Sequence, residues 1–208
     1  MTKRAASRGR YDREQSPEQR HAETRDRILR AAMEAVTVRG IADTSVEHVV
    51  RIAGVSRRTF YEHFRDLPQV LLDLHRAAAN VLFNATEVAV QNAPADSVSR
   101  TRAGVEAFFQ AIINNADFAR LALQHFRGTP AYDAIRELTH ARYIALYMQE
   151  IAKAHAAGLA SRPADELTIY AIVLGMESVA LRYLMRREER RLMEAGPAMT
   201  ELMIRAFV

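Results

Sequence analysis

An all-α fold follows from three features of the sequence. Alanine is abundant, apolar residues recur at three- and four-residue spacing, and no run alternates apolar with polar residues. The glycines and prolines are few, 8 and 6, and sit between periodic segments. The expected architecture is a small N-terminal three-helix domain built around a helix-turn-helix. A long helix then joins it to a larger helical body.

Residues 1–15 read as a disordered basic tail, rich in Lys3, Arg4, Arg8, Arg10 and Arg13. Ser16, Pro17 and Gln19 form a capping-box start for a first helix that Gly40 ends. Thr44 and Glu47 suggest a second box, opening a short helix from Ser45 to Ile52, and Ala53-Gly54-Val55 then turns the chain. Ser56 caps a third helix running to His63. Asp66 and Gln69, flanking Pro68, open a long fourth helix towards Gln91. Further helices are expected at about 98–114 and 117–127, from Pro130 to Ala157, and at about 163–187. Gly196-Pro197 reads as punctuation before a last helix ending at Phe207. The domains are therefore expected at 16–66 and 67–208.

Composition narrows the function. Without cysteine there can be no disulfide and no thiolate site. The polar, basic N-terminus lacks the apolar core of a secretory signal. The most apolar run, at 167–185, is interrupted by Glu177 and Arg182, so neither a membrane span nor a membrane partner is expected. All the net positive charge lies in the first 70 residues, with 14 Lys/Arg against 10 Asp/Glu. A local basic excess suits an anionic polymer, though an ordinary solvated surface would look the same. Histidines at metal-binding helical spacing, a phosphate-binding glycine loop and a nucleophile elbow are all missing. Neither an enzyme nor a cofactor is expected.

The stretch TSVEHVVRIAGVSRRTFYEHF at 44–64 carries two helices too short to be stable alone. Val46, Val49, Val50, Phe60 and Phe64 can pack inward, leaving Arg57, Arg58, Thr59, Tyr61, Glu62 and His63 outward. Two short helices joined by a glycine turn are the arrangement that places a second helix in the DNA major groove. Amides at the starts of the second and fourth helices would point towards phosphates. Glu62 can read a cytosine amine or pair with Arg58 one turn away.

With the helix before it, this stretch and the following RDLPQVLL resemble the DNA-binding domain of the TetR family of transcriptional regulators over residues 25–72. AGVS followed by TFYEHF carries most of the likeness. The resemblance implies that Thr44 or Ser45 binds a phosphate, and that Arg57, Arg58 and Thr59, behind the capping Ser56, meet base edges or flanking backbone. It also implies that Tyr61 and His63 hold phosphates. Leu67 departs from the family, which often has lysine there. The basic tail can enter a minor groove or serve only as a solubilising tail.

The body is neutral. The 163–187 segment is apolar on more than one side, and one face suits a second subunit. Leu174, Ser178, Leu181, Met185, Leu202 and Met203 are the candidate interface; family resemblance implies that the last two helices form a homodimer's four-helix bundle. Large side chains cluster in the middle: Phe83, Phe108, Phe109, Phe126, Tyr143, Tyr147 and Met176 are candidates to line a small-molecule pocket. Read by pattern alone, the same cluster is equally a plain core; the resemblance favours the pocket.

The expected function is thus a cytoplasmic, nucleoid-associated homodimeric regulator. It would bind double-stranded DNA at a pseudo-palindromic operator, as a repressor released from it by a small apolar effector. The competing reading is a helical module whose helix-turn-helix is scaffold or binds DNA non-specifically.

Overall fold

The computed structural model describes residues 16–117, 119–120 and 128–207. Among the described residues are eight helices and no strand: α1 Pro17–Arg39, α2 Val46–Ala53, α3 Arg57–His63, α4 Leu67–Asn92, α5 Ser97–Asn114, α6 Pro130–Ala156, α7 Glu166–Met185 and α8 Glu189–Phe207. The tail, Phe118 and most of the helix expected at 117–127, Phe126 included, lie outside the described residues.

Most helix starts follow the expected chemistry. Ser16 and Gln19 close a reciprocal box at α1, and Gly40 ends that helix at φ 79°. Ser56, Asp66, Asp96, Thr129 and Asp165 each accept an amide three residues on. Three expectations need correction. The α2 cap is Ser45, boxed with His48 rather than Thr44 with Glu47, because the Thr44 hydroxyl donates to the Gly40 carbonyl at 2.7 Å. α7 begins at Glu166 rather than about 163, since Asp165 supplies the cap. Finally, α8 runs unbroken through Gly196-Pro197. Leu192, Gly196, Thr200, Met203 and Phe207 continue one buried stripe across the dipeptide, while Pro197 lies on the solvent face. The packing of that stripe overrides the local cost of a proline.

Two hydrophobic cores share one helix. In the head, Ile28, Ala32 and Val36 of α1, Val49 of α2 and Phe60 of α3 close on Phe64 and on Val70, Leu71 and Leu74 of α4. In the body, Phe83 and Val90 of the same α4 pack with Phe109, Tyr147, Ile169, Met176, Leu192 and Met203. Arg25 fastens α1 to α4 through a 2.5 Å ion pair with Asp73, and its guanidinium lies 4.4 Å over the Phe64 ring.

α7 is long and apolar enough to cross a membrane by length and composition. Its buried stripe, Ile169, Ile172, Val173, Met176, Ala180 and Leu184, packs instead inside the body.

At Gly104 in α5 a β-carbon would stand 2.8 Å from the Tyr147 hydroxyl and 2.9 Å from a Val90 methyl. Gly104→Ala should therefore cost about 1–3 kcal/mol by overpacking. Denaturant unfolding tests this: Tyr147→Phe in the same chain should recover part of the loss.

Candidate functional site: a DNA-reading head and a body cavity

Helix α3 stands on its buried Phe60 and turns Arg57, Arg58, Tyr61 and Glu62 to solvent. Arg57 pairs with Glu47 of α2 at 2.7 Å, and Arg58, 90% exposed, pairs with Glu62 at 3.1 Å. The second pair resolves the role of Glu62 in the free protein. Exposed pairs of this kind are worth about 0–1 kcal/mol, so a phosphate or base edge can displace the acids at low cost. Ser56 accepts the Thr59 amide at 3.0 Å and bonds its hydroxyl at 2.9 Å, which fixes Thr59 at the helix tip. Tyr61 is 50% exposed.

The remaining head residues stand less openly. Thr44 is buried and its hydroxyl is engaged with Gly40, whereas Ser45 is half-buried and its hydroxyl accepts the His48 amide at 3.4 Å. His63 does not face outward: it is half-buried against α1, its ring 4.1 Å from that of His21, with Nδ1 enclosed and unbonded. Burial, together with His21 and Arg25 nearby, holds His63 below its ordinary pKa. The start of α4 offers little to an anion. Position 68 is proline, and Asp66 already takes the Gln69 amide at 2.8 Å. Leu67, where lysine was expected, packs into the head core.

In the body, a cavity of about 150 Å³ opens between α4, α5, α6 and α7. Its walls are mostly small or apolar: Ala78, Ala79 and Leu82 from α4, Phe108, Ala111 and Ile112 from α5, and Val173, Ala180, Leu181 and Leu184 from α7. The polar side is concentrated. The Arg136 Nε–H donates to both oxygens of Glu177, at 2.8 and 3.0 Å, and His140 Nε2 lies 3.2 Å from the same carboxylate. Burial pushes the Glu177 carboxyl up, but the hydrogen bonds from His140 and Arg136 outweigh it and hold the group below the usual range. On the α4 side His75 stacks on Tyr132 at 4.6 Å. Burial depresses the His75 pKa to about 4, against a smaller upward pull from Glu177.

Of the seven aromatic and methionine candidates, Phe108 and Tyr143 line this cavity. Tyr147 lines a second cavity, of about 220 Å³, between the far end of α4, α5, α6 and α8. Phe83, Phe109 and Met176 line neither and belong to the plain core, where Phe83 meets Tyr143 edge-on at 5.2 Å. His75, Tyr132, Arg136 and Glu177 also line the cavity and are not singled out by the sequence pattern. The available signal was ionisable residues placed inside otherwise apolar helices.

The candidate interface residues divide similarly. Ser178, Met185 and Leu202 are exposed, and Leu174 and Leu181 are half-buried. Met203 is 2% exposed and belongs to the protomer's own core. Leu167, 74% exposed, and Met193 extend the uncovered apolar surface of α7 and α8.

Comparison with known proteins agrees with this geometry. Residues 28–72 match the family profile described as "Bacterial regulatory proteins, tetR family". A curated relative, the HTH-type transcriptional regulator EthR of Mycolicibacterium smegmatis, is 30% identical over 105 residues, which is 50% of this chain and 48% of that protein. The match thus spans about half the length of the curated relative. Among solved structures, a protein assigned to the TetR family from Mesorhizobium loti superposes with a TM-score of 0.75 at 18% identity, covering 90% of this chain and 98% of that one. The transcriptional regulator FadR from Bacillus subtilis, in complex with stearoyl-CoA, gives 0.70 at 14% identity, covering 86% and 97%. At such identities the structural likenesses establish the fold. Residues 28–72 thus match the tetR family of bacterial regulatory proteins, and the chain as a whole has the fold of solved structures assigned to that family.

Because the folded His75 holds its proton only near pH 4, the unfolded chain protonates first as pH falls. Stability should therefore drop between about pH 6.5 and 4, by up to about 3 kcal/mol from this group. Urea titrations across that range should show His75→Gln losing less stability than the parent.

Proposed function

We propose that the protein is a sequence-specific DNA-binding transcriptional regulator, a repressor released from a pseudo-palindromic operator by a small, largely apolar effector. Residues 16–66 form the reading domain, and 67–208 the ligand-binding and dimerisation domain. The observation that carries this reading is an exposed α3 bearing Arg57, Arg58, Thr59 and Tyr61 on a head whose core α4 shares with a body containing a cavity.

Arg57 and Arg58 suit guanine edges or phosphates, and Ser45 and Tyr61 suit phosphate oxygens. The uncovered apolar surface of α7 and α8 supports a homodimer, which would present two α3 helices to half-sites about 34–36 Å apart or a multiple of that. An effector in the cavity would touch His75 and Ala79 on α4, the helix that also anchors the head. The FadR fold neighbour, with its bound stearoyl-CoA, supports a ligand-responsive role.

Selection of bound duplexes from a random DNA pool is the direct test: an enriched inverted repeat is expected. Absence of any enriched sequence would favour scaffold or non-specific contact. On the selected duplex, Arg57→Ala should weaken binding by about 1–3 kcal/mol if the side chain reads a base edge. Competition with scrambled duplex checks the assignment, since an equal loss on both would place Arg57 on the backbone. Affinity should also fall with salt at a log–log slope of about −0.9 per phosphate neutralised.

A further inference from the structure

Four polar groups from three helices meet on one side of the α4–α7 cavity: His75 from α4, Tyr132 and Arg136 from α6, and Glu177 from α7. Folding alone does not require them there. The Arg136–Glu177 pair is only partly buried, with side chains 33% and 20% exposed, and such a pair contributes little net stability because desolvation offsets the attraction. Their arrangement does, however, define what the cavity can accept.

Arg136 and Glu177 cancel in charge, and the carboxylate is held ionised by Arg136 and His140. A carboxylate ligand brought beside this pair would meet Glu177, and an ammonium would meet Arg136. Either ion would lose its water without gaining an unopposed counter-charge. An uncharged head meets no such penalty. It can donate to a remaining lone pair of Glu177 and accept from the terminal N–H groups of Arg136, while a ring or short chain fills the apolar side. Size sets the second limit: the space inside is about 150 Å³, close to that of an apolar cavity that holds a single benzene ring, and it is partly open to solvent.

We propose that the effector is an uncharged molecule of single-ring or short-chain size with one hydrogen-bonding head, such as a phenol, alcohol or amide, seated against the Arg136–Glu177 pair. The proposal rests on the effector-released regulator reading and specifies its ligand. The alanines of the opposite wall leave the space, and the His75–Tyr132 stack forms the edge nearest the head.

The test compares phenol, benzoate and benzylammonium on the full chain at pH 7.5, by titration followed with NMR. Phenol should bind about tenfold or more tightly than either ion, reflecting the uncompensated cost of burying a charge. Glu177→Gln should turn the preference towards benzoate, and Arg136→Gln towards benzylammonium. Ala79→Phe, which fills the cavity without touching the pair, should remove phenol binding. The ranking on the parent protein is decisive even if a charge variant fails to fold. An ion bound as tightly as phenol would overturn the proposal. So would a ranking unchanged in both folded charge variants, phenol binding indifferent to Ala79→Phe, or no binding of any probe. Binding of the parent protein to its selected duplex is measured alongside. If that is intact when the ranking fails, only the ligand class is wrong; if it too is absent, the regulator reading falls.

Discussion

Helix α4 belongs to two hydrophobic cores at once, and the rest of the structure depends on that sharing. Its first turns carry Val70, Leu71 and Leu74 into the head, where Phe60 and Phe64 close over them. Two turns further on, Phe83 is already in the body. Leu74 and Phe83 are separated by nine residues, about 13 Å along a helix. Neither end can move far without disturbing the packing at the other, because close-packed interiors transmit displacement rather than absorbing it. The Arg25–Asp73 pair tightens the head end, fixing α1 to α4 one turn from the cavity wall. A reading head supported this way is positioned by the body.

The cavity lies where that constraint can be used. His75 lines it, next in sequence to Leu74 of the head core and two residues after Asp73. The polar side joins His75 of α4 to residues of α6 and α7, so an occupant would touch the helices on both sides of the seam. If α7 and α8 also hold a second subunit, the same occupant would act on helices that set the distance between two heads. Regulation would then require only that the ligand favour one of two α4 positions over the other.

Much of this was legible in the sequence, and the failures have local physical causes. The head was readable because its signals are short-range: Ser56 cap, Gly54 turn and the Phe60/Phe64 spacing all act within a few residues. The α2 cap slipped by one because Thr44 and Ser45 are both competent caps, and only the bond from Thr44 back to Gly40 decides between them. At Gly196-Pro197 the local rule for a break lost to a buried stripe running from Leu192 to Phe207. His63 looked outward by helical position, but its ring meets His21, a contact between residues 42 apart in sequence. Large side chains in the pattern do not mark the cavity, because space arises where small ones face each other. Ala78, Ala79, Ala111 and Ala180 are its signature. Arg136 and Glu177 lie 41 residues apart, and no periodicity within one helix joins them.

In this mechanism, occupancy of the cavity and DNA binding are linked through α4. Linkage is reciprocal, so the most direct measurement is phenol affinity with and without saturating operator, set beside operator affinity with and without saturating phenol. Each ligand should weaken the other by the same factor, about 5–150-fold for ordinary allosteric coupling. Two affinities unchanged by each other's ligand, with both sites shown to be filled, would contradict it.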